Sequence, residues 1–449
     1  MSKETPKINY KVFKAYVRFI YCGLYNRKNY VINRENLPEE GPLMIVSDHQ
    51  NSLNDALALL MAVGRRGTRK VRAITRADAF RPLTEKLFRW IGLMPAFRMN
   101  YDGADTLSNN SYSFGEAADE LVNDGTVIIY PEAGHQDKRW LGTFSFGYLR
   151  ILFDAAEKTG FEKEFYIMPS CNHYEDYQEV RTDVMIKFGQ PIALSPFYEL
   201  YKTKPRTAQR QVNELVREQV SNLMLNITDL ENYEAIDFLR NTYGRRFARK
   251  NRLDPDILPK KLKADKLLFE ELSEKKQEKE AVVNSIYDDA QYLAESYETL
   301  GISDSSFDRN PPFSVLLLKA LLLLLLLPVY VAALLPLSLI VFAPKLINRK
   351  IKDQMLHGTI RVTLSALVTL PLTCILILCI AWPLSGSFLF ALACILSLPL
   401  LYFIVVYYHK AAKRFNKEIR FHVFKGKDIL RNLQKTRTQL HKEIDKLLL

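Results

Sequence analysis

Two short polar stretches hold two of only three histidines in the first 312 residues. They are Ser47-Asp48-His49-Gln50-Asn51-Ser52-Leu53-Asn54-Asp55 and Tyr130-Pro131-Glu132-Ala133-Gly134-His135. Histidine suits general-base work near neutral pH. A carboxylate bonded to its other ring nitrogen fixes the tautomer and stabilises the imidazolium formed when the ring takes a proton. His49 and Asp55 can meet in this way if His49 lies on a loop and Asp55 lies in the first turns of the next helix. Asn51 and Ser52 are suitable N-caps for such a helix. No Ser or Cys stands in a Gly-x-Ser-x-Gly elbow nearby, so the pattern points to direct deprotonation of a substrate hydroxyl. His49, Asp55, Glu132, His135 and His173 include donor types for zinc or iron, but no His-Glu-x-x-His or comparable spacing is present. No metal is expected.

The elements around these stretches can position them. Each stretch follows an apolar run, Leu43–Val46 or Val127–Ile129, that reads as a buried strand. A polar cluster just past the end of a strand is where open α/β sheets keep their chemistry. Further strands are predicted at 71–74, 165–170 and 184–188. Helices are predicted around 54–64, 82–91, 111–124 and 145–158, and residues 205–250 read as helical. This alternation predicts a layered α/β domain.

Two more stretches extend the pattern: Gly92-Leu93-Met94-Pro95-Ala96-Phe97-Arg98 and Ile167-Met168-Pro169. With His49-x5-Asp55 and Tyr130–Gly134, they resemble the glycerol-phosphate/lysophosphatidate acyltransferase superfamily in order and spacing over about residues 30–200. Ile186-Lys187-Phe188-Gly189-Gln190-Pro191 resembles its closing strand. The resemblance implies a mixed sheet, with His49 as the base that activates an acceptor hydroxyl and Asp55 as its orienting partner. It also implies that Arg98 contacts the acceptor's phosphate and that Glu132 helps bind the glycerol-phosphate. By the same resemblance Gly134 allows close backbone approach and Pro169 shapes the acyl site.

The chain departs from the family in two places. His-x4-Asp is the commonest family spacing, whereas five residues intervene here and Asn54 holds the usual position. The longer spacing is familiar from a branch that includes acyltransferases using glycerol-3-phosphate itself. Pro-Glu-Gly is the usual third block, often followed by a basic residue; here Ala133 and His135 occupy these places, and Lys138 or Arg139 could supply the charge. A guanidinium suits a phosphorylated acceptor because it binds phosphate in bidentate fashion.

Ala320–Ala343 carries no charge, and neither does Val362–Tyr408, a run of 47 residues interrupted by Pro383-Leu384-Ser385-Gly386-Ser387. A spanning helix needs about 20 apolar residues, so the longer run predicts a helical hairpin over 362–383 and 388–408. Pro328 and Pro336 each remove a helical hydrogen bond, so 313–343 reads as a bent or re-entrant hairpin. Basic loop 344–361 and tail 409–449, the latter with twelve Lys/Arg against Glu418, Asp428, Glu443 and Asp445, are expected to face the cytoplasm. The net charge of +12 is thus set largely by the tail, which follows an apolar segment; membrane surface rather than nucleic acid is the expected partner. Five cysteines without paired spacing fit neither a disulfide framework nor a zinc ribbon.

Five regions are expected: an interfacial amphipathic helix in 1–30, an acyltransferase α/β domain over 31–250, a charged helical connector over 251–312, a membrane region over 313–408 and a basic cytoplasmic tail over 409–449. The interfacial helix is read from Val12, Phe13, Tyr16, Val17, Phe19, Ile20 and Leu24 set among Lys7, Lys11, Lys14 and Arg18. A helix packed on its own domain fits the same pattern. The whole implies a multi-pass membrane O-acyltransferase of glycerophospholipid synthesis with its catalytic domain on the cytoplasmic face. Its co-substrate would be acyl-CoA or acyl-ACP, with no other cofactor. The expected acceptor is 1-acyl-glycerol-3-phosphate, with glycerol-3-phosphate as the alternative. Other classes on the same residues are a metal-dependent lipid-headgroup hydrolase and a non-catalytic membrane scaffold.

Overall fold

A computed structural model describes residues 8–64, 71–77, 80, 82, 85–96, 107–132, 134 and 138–448. Two compact units are present. The first comprises residues up to Asn226 together with Lys350–Thr363, and the second comprises Ile227–Arg349 and Leu364–Leu449.

The first unit is built on an eight-stranded sheet. In spatial order the strands are β1 (Lys28–Ile32), β7 (Asp183–Phe188), β6 (Tyr166–Tyr174), β2 (Leu43–Ser47), β5 (Thr126–Ile129), β3 (Val71–Arg76) and β4 (Leu93–Ala96); β8 (Ile192–Ala193) pairs beside β6. β2 runs parallel to both β5 and β6, whereas β7 and β8 are antiparallel to β6. The sheet is therefore mixed, as the family resemblance implies.

β2 and β5 are buried at every position, which explains why both read as continuous apolar runs. Their alternating side chains feed two cores. Met44, Val46, Val127 and Ile129 meet the helices Leu107–Val122, Gly147–Lys158 and Pro205–Leu223 on one face. Leu43, Ile45 and Ile128 meet helices α1 (Ile8–Arg18) and α2 (Leu53–Val63) on the other. This is the period-two alternation of a strand covered on both sides.

Three strands escape the sequence pattern. β1 and β4 lie at the sheet edges: β1 has half-exposed side chains of mixed polarity, and β4 is four residues long, so neither leaves much periodic signal. β4 even contains Pro95, which an edge strand tolerates, and β8 is two residues long. Pro169 stands inside the central strand β6. It falls where β6 changes antiparallel partner, from β8 at Tyr166–Ile167 to β7 from Ser170 onward. A missing N–H at that junction interrupts neither pairing.

Helix α1 continues as a π-helical turn over Phe19–Tyr25. Val17, Tyr21 and Tyr25 pack into the α2-side core. Part of the apolar face expected to meet lipid is thus turned onto the domain, while Val12 and Phe19 stay exposed.

The first compact unit's main stretch ends at Asn226. Helix Pro205–Leu223 lays Val212, Val216 and Val220 on the sheet core. The following helices, Tyr233–Asn241 and Tyr243–Lys250, belong to the second unit.

In the second unit the connector's predicted stripe is buried: Val283, Ile286, Tyr287, Ala290, Leu293, Tyr297 and Leu300 all face inward along Glu280–Leu300. Among the described residues, three helices are long and apolar enough to cross a membrane: Phe313–Asn348, Met355–Ser385 and Phe388–Phe424. The turn between the last two comes at Gly386, whose φ is 66°, and Ser387, which accepts the Phe390 N–H.

The first of the three differs from expectation. Phe313–Asn348 is one continuous helix that keeps Pro328, Pro336 and Pro344 inside it. At 36 residues it extends about 54 Å. Each proline costs it one hydrogen bond, which is not enough to turn the chain back on itself. Lys319 near its start pairs with Glu418 near the end of Phe388–Phe424, and Tyr330 stacks on Tyr408. These two helices therefore run antiparallel. Arg437 in the tail helix Asp428–Leu447 also forks onto Asp304 of the connector, at 2.6 and 3.0 Å. The connector and the basic tail thus lie at the same end of the helix pair.

Candidate active site

The first polar stretch leaves the end of β2, and the second leaves the end of its neighbour β5. Adjacent parallel strands thus deliver both to one edge of the sheet. The carboxyl edge of such a sheet, where strand order reverses, is the usual place for a binding crevice.

Asp55 is the third residue of α2 and is fully buried. Its side chain folds back over the helix start, where unpaired N–H groups and the helix dipole favour a carboxylate. Oδ2 lies 2.9 Å from His49 Nδ1 and also accepts the N–H groups of Gln50 at 2.9 Å and Asn51 at 2.8 Å. Oδ1 accepts the Tyr174 hydroxyl at 2.8 Å. With Nδ1–H committed to Asp55, Nε2 becomes the basic nitrogen of His49. The His49 ring is stacked on Tyr130, with centroids 4.4 Å apart, and its side chain keeps 21% of its surface exposed. A partly open imidazole over a buried carboxylate is the arrangement that general-base catalysis requires.

Asn54, at the usual family position, points elsewhere. Its Nδ2 donates to Asn51 Oδ1 at 3.2 Å, within the loop. Between them Ser52 has a φ of 50° and a ψ of −131°, outside the regions favoured by side chains with a Cβ.

Glu132 ties the two stretches together. Oε1 accepts the His49 backbone N–H at 2.9 Å, and Oε2 accepts the Gly142 N–H at 2.8 Å. Burial raises its pKa, and these N–H groups pull in the opposite direction. At Gly134 an added Cβ would meet nothing within 4 Å among the described residues.

Arg139 is almost wholly buried. It bonds the ring nitrogen Nδ1 of His173 at 3.2 Å and the Tyr174 carbonyl at 3.0 Å, and lies over the Tyr177 ring. Its guanidinium thus braces the end of β6, next to the tyrosine that holds Asp55. Lys138 is half-buried beside it. Arg98 and His135 lie outside the described residues. Among the described residues, no group of three or more His, Cys, Asp or Glu is arranged to hold a metal ion.

Several residues of the site carry no signal in their spacing. Tyr174 and Tyr177 read as ordinary members of an apolar strand and its loop, yet the Tyr177 hydroxyl bonds Gln50 Oε1. Asp48 is fully buried; Asn172 N and Ser47 Oγ donate to its Oδ1, and Oδ2 has no partner. Burial, then the neighbouring Asp55 charge, pushes its pKa well up. Arg217 holds the carbonyls of Leu141 and Gly142 and so fixes the return of the Glu132 loop.

Residues 28–172 match the acyltransferase family model. Over those residues the chain matches an acyltransferase domain. All four blocks that suggested the resemblance fall inside the matched region. Among solved structures, the chain is similar to the 1-acyl-sn-glycerophosphate acyltransferase PlsC from Thermotoga maritima, at 21% identity and a TM-score of 0.31. That similarity covers 46% of this chain and 79% of the other. No curated protein sequence matches significantly. The matched region ends within β6, and everything from the Pro205–Leu223 helix onward lies beyond the match.

Proposed function

We propose that the protein transfers a fatty acyl group from an acyl thioester, acyl-CoA or acyl-ACP, to the free hydroxyl of 1-acyl-glycerol-3-phosphate. The observation that carries this reading is the His49–Asp55 pair, held by a fully buried carboxylate at the carboxyl edge of an acyltransferase-family sheet. His49 Nε2 takes the proton of the acceptor hydroxyl as its oxygen attacks the thioester carbonyl. The tetrahedral intermediate collapses, the C–S bond breaks, and the thiolate leaves as the free thiol with the proton returned by the imidazolium. Asp55 remains ionised and holds the ring throughout.

The three apolar helices support a lipid acceptor, because a lysophospholipid and its diacyl product both partition into a bilayer. On this reading Arg98 and Lys138 bind the acceptor phosphate, while Arg139 acts indirectly by bracing β6. The twelve Lys/Arg of the tail favour the cytoplasmic face for the catalytic domain.

One observation favours glycerol-3-phosphate as a second acceptor: the additional residue between His49 and Asp55. The test offers lysophosphatidate and glycerol-3-phosphate side by side, with labelled acyl-CoA, to the protein in phospholipid vesicles. Label entering phosphatidate from lysophosphatidate is expected, and label entering neither acceptor would overturn the reading.

A further inference from the structure

The first four N–H groups of any helix lack partners within it. At the start of α2, Ser52 supplies no side-chain cap, because its positive φ turns it away. The cap comes instead from 306 residues along the chain: Thr359 Oγ1 accepts the Leu53 N–H at 3.2 Å. Gly358, immediately before it, is pressed against the same loop. A Cβ there would stand 2.8 Å from Asn54 Nδ2, 3.1 Å from the Tyr25 hydroxyl and 3.5 Å from Asn51 Oδ1. Only a residue without a side chain can approach so closely.

The same segment grips the other side of the site. Arg361 Nη1 donates to the Gln178 carbonyl at 2.8 Å, and Gln178 Nε2 donates to the Gln354 carbonyl at 2.9 Å. Val362 is buried in the core that also holds Tyr25 and Tyr174. Residues 354–362 therefore touch both supports of Asp55: the loop whose N–H groups bond Oδ2, and the β6 end that carries Tyr174.

We propose that residues 354–362 are a latch that positions the His49–Asp55 loop for catalysis, with Thr359 and Gly358 as its positioning residues. Neither reaches the reacting atoms. Thr359 fixes the first turn of α2, so that Asp55 stays over the helix start and the His49 ring keeps its orientation. A helix that continues into the apolar run from Val362 onward thereby sets the geometry of the catalytic loop. The kinetic consequence rests on the acyl-transfer reading, whereas the mechanical one does not.

The test uses the full chain in phospholipid vesicles and two readouts. Hydrogen exchange is followed in peptides spanning Gln50–Leu53, with peptides from β2 and β6 as folding controls. Acyl transfer is followed over a range of donor and acceptor concentrations. For Thr359→Val, exchange in Gln50–Leu53 should be about tenfold faster and kcat about tenfold lower, as expected for one lost hydrogen bond. KM for donor and acceptor should stay within about twofold, and Thr359→Ser should restore both readouts. Gly358→Ala, which keeps the Thr359 hydroxyl, should move both in the same direction.

Unchanged exchange in both variants would overturn the latch. So would faster exchange with wild-type kcat, since the loop would then need no holding. If the wild-type protein transferred no acyl group at all, the functional reading would fall, and the exchange result alone would still decide whether the latch exists.

Discussion

Glu132 Oε1 accepts the backbone N–H of His49 at 2.9 Å, joining residues 83 positions apart. Its other oxygen holds Gly142. Both oxygens are thus engaged by the protein's own backbone, so Glu132 sets the position of the His49 loop relative to the β5 loop. In Glu132→Gln the amide NH2 must face a backbone N–H. We expect kcat to fall about tenfold or more, with KM for both substrates within about threefold. A rise in acceptor KM at unchanged kcat would instead make Glu132 a direct ligand of the acceptor, the role the family resemblance implies.

Asp55 and Asn54 are neighbours with different duties. Asp55→Asn removes the charge that stabilises the imidazolium and puts an NH2 among groups that donate to Oδ2. It should lower kcat by roughly a hundredfold or more while the protein stays folded. Asn54→Ala removes one local hydrogen bond and should cost less than about tenfold. Steady-state kinetics on the two variants decide the matter, and the reverse order would mean that the dyad has been misassigned by one residue.

Much of this arrangement is legible in the sequence. Leu43–Val46 and Val127–Ile129 announce central strands because both faces of the sheet are covered. His49 and Asp55 announce themselves because a loop followed by a helix start can close a six-residue step. The supporting residues are hidden for a physical reason: Tyr174 reaches the site from β6, Tyr177 from the loop after it and Arg139 from a loop beyond β5, and sheet pairing, unlike local spacing, is not written in neighbouring residues. Thr359 lies still further away, in a stretch that reads only as a basic loop between apolar runs. Pro328 and Pro336 mislead in the opposite sense, because a long apolar helix absorbs a proline that a short one would not.

Ser52 holds a backbone conformation suited to glycine, at a cost of about 1–3 kcal/mol for a residue with a Cβ. Its side chain makes no capping bond. Ser52→Gly should therefore raise the thermal midpoint slightly, by the part of that strain which exceeds the entropy cost of glycine, about 1 kcal/mol. Activity should be unchanged. A lower midpoint in calorimetry would show that the serine hydroxyl stabilises the loop.

Asp48 offers a pH test. Its folded pKa is raised well above the usual carboxylate value, by burial first and the Asp55 charge second. Below the unfolded pKa, about 3.9, the group is protonated in both states and costs nothing. As pH rises past that value the unfolded chain ionises while the folded one keeps its proton, so stability falls with pH until the folded pKa is reached. Asp48→Asn removes this dependence. Its gain in thermal midpoint over the wild type should grow between about pH 4 and pH 7, whereas an equal gain at both would show that Asp48 ionises normally in the fold.

The central claim is that His49 is the base of an acyl transfer, and one comparison tests it most directly. Wild-type protein and His49→Ala, purified identically and matched by circular dichroism, are assayed for acyl transfer from labelled acyl-CoA to lysophosphatidate in vesicles. The account predicts that wild-type protein makes labelled phosphatidate and that the variant is slower by about 10²–10⁴, the usual contribution of a positioned base. Wild-type turnover by the variant would contradict it.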